Sequence, residues 1–493
     1  MHALATAITD LFKKCDVSDD WSTITASLIP KVAVPKGPKD FRPIAALTSL
    51  RKLIGYIFML TLPEASYKSF QCGFVPKRDA TQAVFCVKRL GELAREWGKP
   101  VFAAQLDMSK AFDKVLHSSV LEALQGLGAG KQHLAFLSSM LMKGSVQLRL
   151  GNVSTRSVRL DRGVPQGAPE SPSLFIAVTD MALGKVQDSW REKNIGYTFD
   201  GVWLPVVAYA DDVMILATSE EELALMLADV AAAFDQVWLS LNMSKTNYSS
   251  SLPSKDSTIA VKGEEISWRK DLTFLGSCIT LPGNGEAAMR SRKAKATRVF
   301  DEWAPVLTSS KLPAKMRADA FKASVIPSFC WQAQSWTLTK VQSQHVASWS
   351  SRLGSRMKGS RRSSCEEPGQ WWRRMHREGK RFLDENHIDI PHEVCLAKHS
   401  FAGHIARMPE QDVANKVLRL RNLAWWRQVQ ATPQQMPKHG PRPHPKRFNA
   451  LCRWEAPLEE KWGRAQAGST ADTVGWMLIA QDRERWRSLR SAL

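Results

Sequence analysis

The chain has 493 residues, 44% of them hydrophobic, enough for two to four domains with a sizeable core. No apolar run approaches the length of a membrane span, and eight scattered cysteines without a CxxC pair exclude a disulfide framework or a zinc ribbon, pointing to a reducing compartment. The formal charge of +20 is concentrated late: residues 301–493 hold 32 Lys+Arg against 18 Asp+Glu and 12 of the 18 tryptophans, a mixture suited to a polyanion with stackable bases or to a basic helical domain with ordinary core tryptophans.

The first residues, MHALATAITDLFKKCD, lack a basic leader followed by an apolar core, so no secretion signal is expected. Residues 1–100 mix a helical pattern, LTSLRKLIGYIFMLTL, with Pro/Gly-rich turns, IPKVAVPKGPKDFRP. From 101 to 280 short apolar strands alternate with helical stretches, which predicts an α/β or α+β domain. In VFAAQLDMSKAFDKV, apolar Val101 to Leu106 leads into Asp107 and an amphipathic helix through Phe112; alone, such an acid is usually a helix N-cap. RGVPQGAPESPSLFIAV, residues 162–178, is a tight loop running into an apolar helix. Its Gly167 lets backbone approach a nucleotide closely, and Gln166 offers both a donor and an acceptor.

VVAYADDVMILA, residues 206–217, sets Asp211 and Asp212 at the bend of a hairpin between two short buried strands. An Asp-Asp pair in a turn is most often simply solvated. Two strands of one sheet could instead bring Asp107 beside Asp211, giving an oxygen site suited to Mg²⁺. Two such ions about 4 Å apart activate a 3′-hydroxyl and stabilise a departing pyrophosphate, and bound metal offsets the repulsion between adjacent acids. EEELALMLADVAAAFDQVWLSL is the clearest amphipathic helix, closed by NMSKTN. From about 285 the pattern turns helical and basic, with flexible joints expected at 354–370 and 431–447 and no internal repeat.

Eight ordered motifs over roughly residues 20–285 carry a resemblance: SLIPK, DFRPIAAL, QCGFVPKRDATQAV, QLDMSKAFD, RGVPQGAPESP, AYADDVMILA, LNMSKT and LTFLG. The chain resembles reverse transcriptases of non-LTR (LINE-type) retrotransposons and, more distantly, those of group II introns. The resemblance implies an α+β right-hand polymerase of fingers, palm and thumb, followed by a mainly helical basic C-terminal region. The boundaries expected are 1–284 for fingers and palm, 285–353 for a helical thumb and 371–493 for the basic, Trp-rich region, with nucleic-acid contacts. The implied reaction is RNA-directed DNA synthesis with two Mg²⁺ ions, primed at a nicked chromosomal 3′ end. Its partners are an RNA template, a DNA primer or target and dNTPs, with the element's own RNA as a further partner and no membrane. Nucleus and cytoplasm are the expected locations.

Residue by residue, Asp107 and Asp211 match metal ligands and Asp212 the supporting acid beside them. Phe112 matches the bulky residue that closes against a ribose 2′-hydroxyl, leaving that group neither room nor partner. Lys31 and Arg42 match the cations that hold the incoming triphosphate, although each read alone is surface charge. Arg78 matches a contact to template or nucleotide, and Gln166 and Gly167 the loop that cradles nucleotide and template base. Lys245 resembles the lysine that protonates the departing pyrophosphate; a lysine past a helix end is as readily plain solvated charge. Phe274, Leu275 and Gly276 resemble the hairpin that grips the primer terminus. Asp113 also matches, but is read as structural.

The sequence departs from the family pattern at Glu170, where an apolar residue is usual, and at Trp238 and Ser240 before the LN of LNMSKT. SLIPK begins only at residue 27, so the chain looks truncated at its N-terminus, without the upstream endonuclease of many such elements. FKASVIPSFCWQAQSWTLT and KHSFAGHIARMPEQDVANKVL resemble the tail that follows the polymerase in many of them. His387, His392, Cys395, His399 and His404 invite a zinc site, but no second cysteine pair completes a finger, and helical packing is the expectation. The rival readings are an RNA-dependent RNA polymerase, against which Phe112 speaks, and a non-catalytic RNA-binding remnant.

Overall fold

The computed structural model describes residues 2–492 except 16, 18–21, 69, 253–256, 282–285, 421–453 and 463–474. In chain order its N-terminal elements are α1 (His2–Lys14), β1 (Thr23–Pro30), β2 (Phe41–Ala46), α2 (Ser49–Thr61), α3 (Ala80–Trp97), β3 (Phe102–Leu106), α4 (His117–Gly126), α5 (Lys131–Met142) and β4 (Ser145–Leu150). The middle holds α6 (Ser171–Glu192), β5 (Val206–Tyr209), β6 (Asp212–Ala217), α7 (Glu220–Gln236), β7 (Asn247–Ser250), β8 (Thr258–Val261), β9 (Glu264–Trp268) and the hairpin β10 (Leu272–Phe274) to β11 (Ser277–Ile279). Helices follow: α8 (Glu286–Glu302), α9 (Ala314–Cys330), α10 (Lys340–Lys358), α11 (Pro368–Glu385), α12 (Ile390–Ala406), α13 (Ala456–Trp462), α14 (Gly475–Gln481) and α15 (Arg483–Ser488). Among the described residues no helix is long and apolar enough to cross a membrane.

A six-stranded sheet in the order β8-β9-β7-β3-β6-β5 forms the centre. Its strands β3 and β6 are largely apolar on both faces because both faces are covered there. On one face Phe102, Ala104, Val213 and Ile215 pack with α6 and α7; on the other Ala103, Met214 and Leu216 pack with α3 and with residues from 401 onward. Local signals set the helix ends. Asp79 accepts from the Gln82 N–H to start α3, Ser219 from the Glu222 N–H to start α7, and Thr339 forms a capping box with Gln342 on α10. A second sheet, built on β2-β1-β4, stands beside the first, with β1 antiparallel to β2 and parallel to β4. The helices from α8 to α12 enclose a separate core around Phe300, Phe321, Phe329, Trp349 and Leu353.

Three expectations need correction. The helix after Asp107 is a single turn, Ala111–Lys114, because Lys110 takes φ +50 and Val115 is already extended. The helix starting at Glu220 stops at Gln236, where Trp238 adopts φ +61 and the Leu239 N–H returns to the Phe234 carbonyl at 2.9 Å. Residues 354–370 are not one continuous joint: α10 runs to Lys358, is closed by Gly359 at φ +83, and α11 begins at Pro368. Gly354 is a packing glycine, since a Cβ there would lie 2.5 Å from the Gly379 carbonyl oxygen on α11. The described part of the C-terminal region packs against the sheet and α3. Phe401, Trp454 and Trp476 share a core with α3, and Arg89 of α3 pairs with Glu92 at 2.5 Å and Glu455 at 2.6 Å, all three buried. The joint expected at 431–447 lies outside the described residues.

Candidate active site

The β5–β6 hairpin pairs Tyr209 with Asp212, leaving Ala210 and Asp211 as its two-residue turn. Ala210 sits at φ +56, a left-handed conformation that costs a residue with a Cβ about 1 kcal/mol or more. The neighbouring QCGF stretch holds it there. The Ala208 N–H donates to the Phe70 carbonyl at 2.9 Å and the Cys72 N–H to the Ala208 carbonyl at 2.7 Å. Gln71, 0% exposed, accepts through Oε1 from the N–H groups of Gly73 at 2.9 Å and Ala210 at 3.3 Å. Gly73 is required by the close approach, because a Cβ would lie 2.6 Å from the Ala210 nitrogen.

Strand β3 runs antiparallel to β6 with Leu106 opposite Val213, so Asp107 emerges beside Asp211 in the turn. It also stands beside Asp212, which is the first residue of β6 and not part of the bend expected from sequence. Burial first, then the charge of Asp107, raises the Asp211 carboxyl, against the pull of its own backbone and of Arg42. Burial, Asp211 and Asp107 together push Asp212 up to about 6. Asp211 is exposed to water, but the protein around it withholds part of the solvation a free carboxylate enjoys. The LNMSKT turn borders Asp107: the Asn242 N–H donates to the Asp107 carbonyl at 2.7 Å, and Lys245 Nζ stands 4.0 Å from Asp107 Oδ2. Lys245 lies in that turn, nine residues after α7 ends, not directly past the helix.

The remaining expected residues surround this centre. The RGVPQG loop is hydrogen-bonded to the turn after Asp107, with the Val164 N–H on the Phe112 carbonyl at 2.8 Å and the Gly163 N–H on the Val115 carbonyl at 2.7 Å. The Ala45 N–H of β2 donates to the Gln166 carbonyl at 2.7 Å, which ties the loop to the second sheet. Gln166 Nε2 donates to Asp113 Oδ1 at 3.2 Å, and Gly167 at φ +105 lies where a Cβ would meet the Ala45 carbonyl at 3.1 Å. Asp113 is raised by burial and eased down by Gln166, Lys110 and Lys31, so the charge of Lys31 reaches this loop, while that of Arg42 reaches Asp211. Phe112 is half-buried and stacks on Phe175 with ring centroids 4.4 Å apart. Arg78 is used within the fold, its Nη1 donating to the carbonyls of Lys68 at 2.7 Å and Gln71 at 2.6 Å, which braces the QCGF loop.

Phe274 is buried, and Leu275 and Gly276, at φ +50 and +69, form the two-residue turn of β10–β11. The helical region holds this tip: Arg292 donates to the Gly276 carbonyl and Trp331 Nε1 to the Leu275 carbonyl at 3.4 Å. Gln71, Gly73, Arg292 and Trp331 were not singled out from sequence; only the QCGF motif marked the first two. The departure at Glu170 has a structural partner, the buried guanidinium of Arg51.

On α12, His399 stacks on Trp486 at 4.0 Å, while His404 Nε2 lies 3.3 Å from Gln82 Nε2, so these histidines face different neighbours. Among the described residues no three His, Cys, Asp or Glu side chains are drawn close enough to hold a metal ion as they stand, and this applies equally to Asp107, Asp211 and Asp212. The donor chemistry of these three acids nonetheless fits a hard cation: all are carboxylates, and each charge raises the cost of the next.

A family model described as reverse transcriptase (RNA-dependent DNA polymerase) matches residues 29–279. The chain is 33% identical over 232 residues to the retrovirus-related Pol polyprotein from type-1 retrotransposable element R2 of Popillia japonica, covering 47% of this chain and 32% of that protein. It is 28% identical to the type-2 element R2DM polyprotein of Drosophila melanogaster, over 44% of this chain and 20% of that one. It is 26% identical to the transposon TX1 uncharacterized 149 kDa protein of Xenopus laevis, over 55% of this chain and 21% of that one. The matches thus span a fifth to a third of these relatives' lengths.

Proposed function

The chain belongs to the reverse transcriptase (RNA-dependent DNA polymerase) family, and from that membership we propose that it is the RNA-directed DNA polymerase of a non-LTR retrotransposon, working by target-primed synthesis and located in nucleus and cytoplasm. The observation that carries the proposal is Asp107 standing beside Asp211 and Asp212, with the charge of Arg42 acting on Asp211, Lys245 near Asp107 and the charge of Lys31 reaching the adjoining Asp113. Asp107 and Asp211 would hold two Mg²⁺ ions, with Asp212 as the supporting acid. When bound, Mg²⁺ lowers the pKa of a primer 3′-hydroxyl and neutralises charge on the leaving pyrophosphate.

The chain's own residues do the rest. Lys31 and Arg42 bind the triphosphate of the dNTP, and the backbone at Gln166–Gly167 lies under its sugar and template base. Phe112, held flat by Phe175, closes off the ribose 2′ position. The hairpin tip at Phe274–Gly276 orients the primer end, whose 3′-oxygen attacks the α-phosphate in line as pyrophosphate leaves. Lys245 stands ready to give a proton to that leaving group.

Primer extension on an RNA template with dNTPs and Mg²⁺ tests this, beside an Asp211→Ala/Asp212→Ala variant. Extension by the native chain and none by the variant is expected. No extension by the native chain, with salt-sensitive RNA binding retained, would replace this reading with that of a non-catalytic remnant.

A further inference from the structure

Helices α8, α10 and α11 carry a strip of cations and a half-exposed tryptophan that polymerisation does not use. Two contacts fix their arrangement. Trp349 Nε1 on α10 donates to Thr297 Oγ1 on α8 at 3.1 Å, and Gly354 on α10 is in backbone contact with Gly379 on α11. One turn from these contact residues stand Lys293 on α8, Arg352 on α10 and His376 on α11. Burial and then the nearby charge of Arg352 lower the proton affinity of both Lys293 and His376, and no acid is among the groups acting on either.

Trp372, one turn before His376, is 54% exposed, and its indole lies against the imidazole with ring centroids 4.0 Å apart. Arg373 and Arg377 flank it, exposed and in no ion pair among the described residues, as is Arg352. Of the acids nearby, Glu366 and Glu378 pair with Arg374 at 2.7 and 3.1 Å and Glu385 with Arg381 at 2.8 Å, while Glu367 and Asp384 stay exposed at the two ends of α11. The strip starts beside the β10–β11 tip, since Arg292, the neighbour of Lys293, holds the Gly276 carbonyl.

Exposed cations gathered on neighbouring helices repel each other until a polyanion lies against them, and a flat exposed indole among them suits a nucleobase better than a lipid or a peptide. We propose that Lys293, Arg352, Arg373 and Arg377, with Trp372 backed by His376, bind an unpaired stretch of nucleic acid, phosphates on the cations and one base on the indole. The site is independent of the three acids and goes beyond the polymerisation reading.

The test is fluorescence anisotropy of the full chain without dNTPs or Mg²⁺, so that binding is read apart from catalysis. The probes are a single-stranded RNA of about 16 nucleotides, the same sequence as single-stranded DNA, and an RNA–DNA duplex. Lys293→Gln/Arg352→Gln should flatten the log–log salt slope for single strands by about 1.4, which is about 0.7 for each lost phosphate contact. Trp372→Ala should weaken single-strand binding about 5- to 100-fold with the slope unchanged, and Trp372→Phe should restore most of it. A loss confined to RNA or to DNA names the strand bound; a loss on both keeps the shared chemistry. Unchanged slope and affinity, or a loss on the duplex alone, overturns the proposal.

Discussion

Replacing Gln71 by leucine keeps the volume at the hairpin and removes one acceptor. The N–H groups of Gly73 and Ala210, which that oxygen accepts from at 2.9 and 3.3 Å, are then buried without a partner. An orphaned buried donor costs about 1–3 kcal/mol, and the longer bond belongs at the low end, so the turn loses roughly 2–4 kcal/mol of support. Ala210, at φ +56, has its own reason to leave the left-handed region once released, and Asp211 moves with it. Displacing a reacting group by about 1 Å can cost about 100-fold in rate. Single-turnover primer extension should therefore slow about 10- to 100-fold. The KM for dNTP should change far less, because Lys31 and Arg42 lie on and beside the β1–β2 pair, which Gln71 does not touch. A rate within about twofold of native, or a loss confined to KM, would refute the positioning role.

Asp212 is raised from 3.8 to about 6 in the folded chain, and Asp211 is raised as well, so the native state binds more protons than the unfolded state across that window. Metal-free stability should fall as pH rises from 3.8 to about 6, and Mg²⁺ should raise the melting temperature more above that window than below it. An equal Mg²⁺ effect on both sides would show that the acids do not take up the ion. Glu170→Leu strands the buried Arg51 guanidinium and should cost about 3–5 kcal/mol in denaturant unfolding, most of it recovered by adding Arg51→Met; a loss under about 1 kcal/mol would mean the pair is not buried as described. Phe112→Val should lower discrimination against ribonucleotides about 10- to 100-fold in competitive extension, and unchanged selectivity would remove the aromatic from that role.

The parts of the site that were legible in sequence are those whose signal is local. Two short continuous apolar runs mark β5 and β6, and a two-residue gap between them places Asp211 at a bend whatever lies around it. Position in the motif order found the RGVPQG loop, and adjacent positive-φ residues in the tip of LTFLG agree with a tight hairpin. Gln71 carried no such mark. Its partner, Ala210, is a hundred and more residues away, and a polar residue in a turn-rich stretch reads as surface until the chain folds over it. Gly354 misled for a related reason: within SRLGSRM it resembles linker composition, while its actual role is to let α11 approach. Glu170 looked anomalous because Arg51, which makes it acceptable, lies on another element.

A polypeptide stopped after β11 would retain every residue given a part in the chemistry and would still be a different object. Phe85 of α3, now in edge-on contact with Phe401 and Trp454, would face water. Arg89 would lose Glu455 and keep a charge in an apolar setting with one of its acids gone. Such a piece would be prone to aggregate, and its silence in an assay would say nothing about the acids. The converse holds for inheritance: a change at Trp454, remote in sequence from every carboxylate, is a change in the back wall of the catalytic sheet, and selection on copying acts there too.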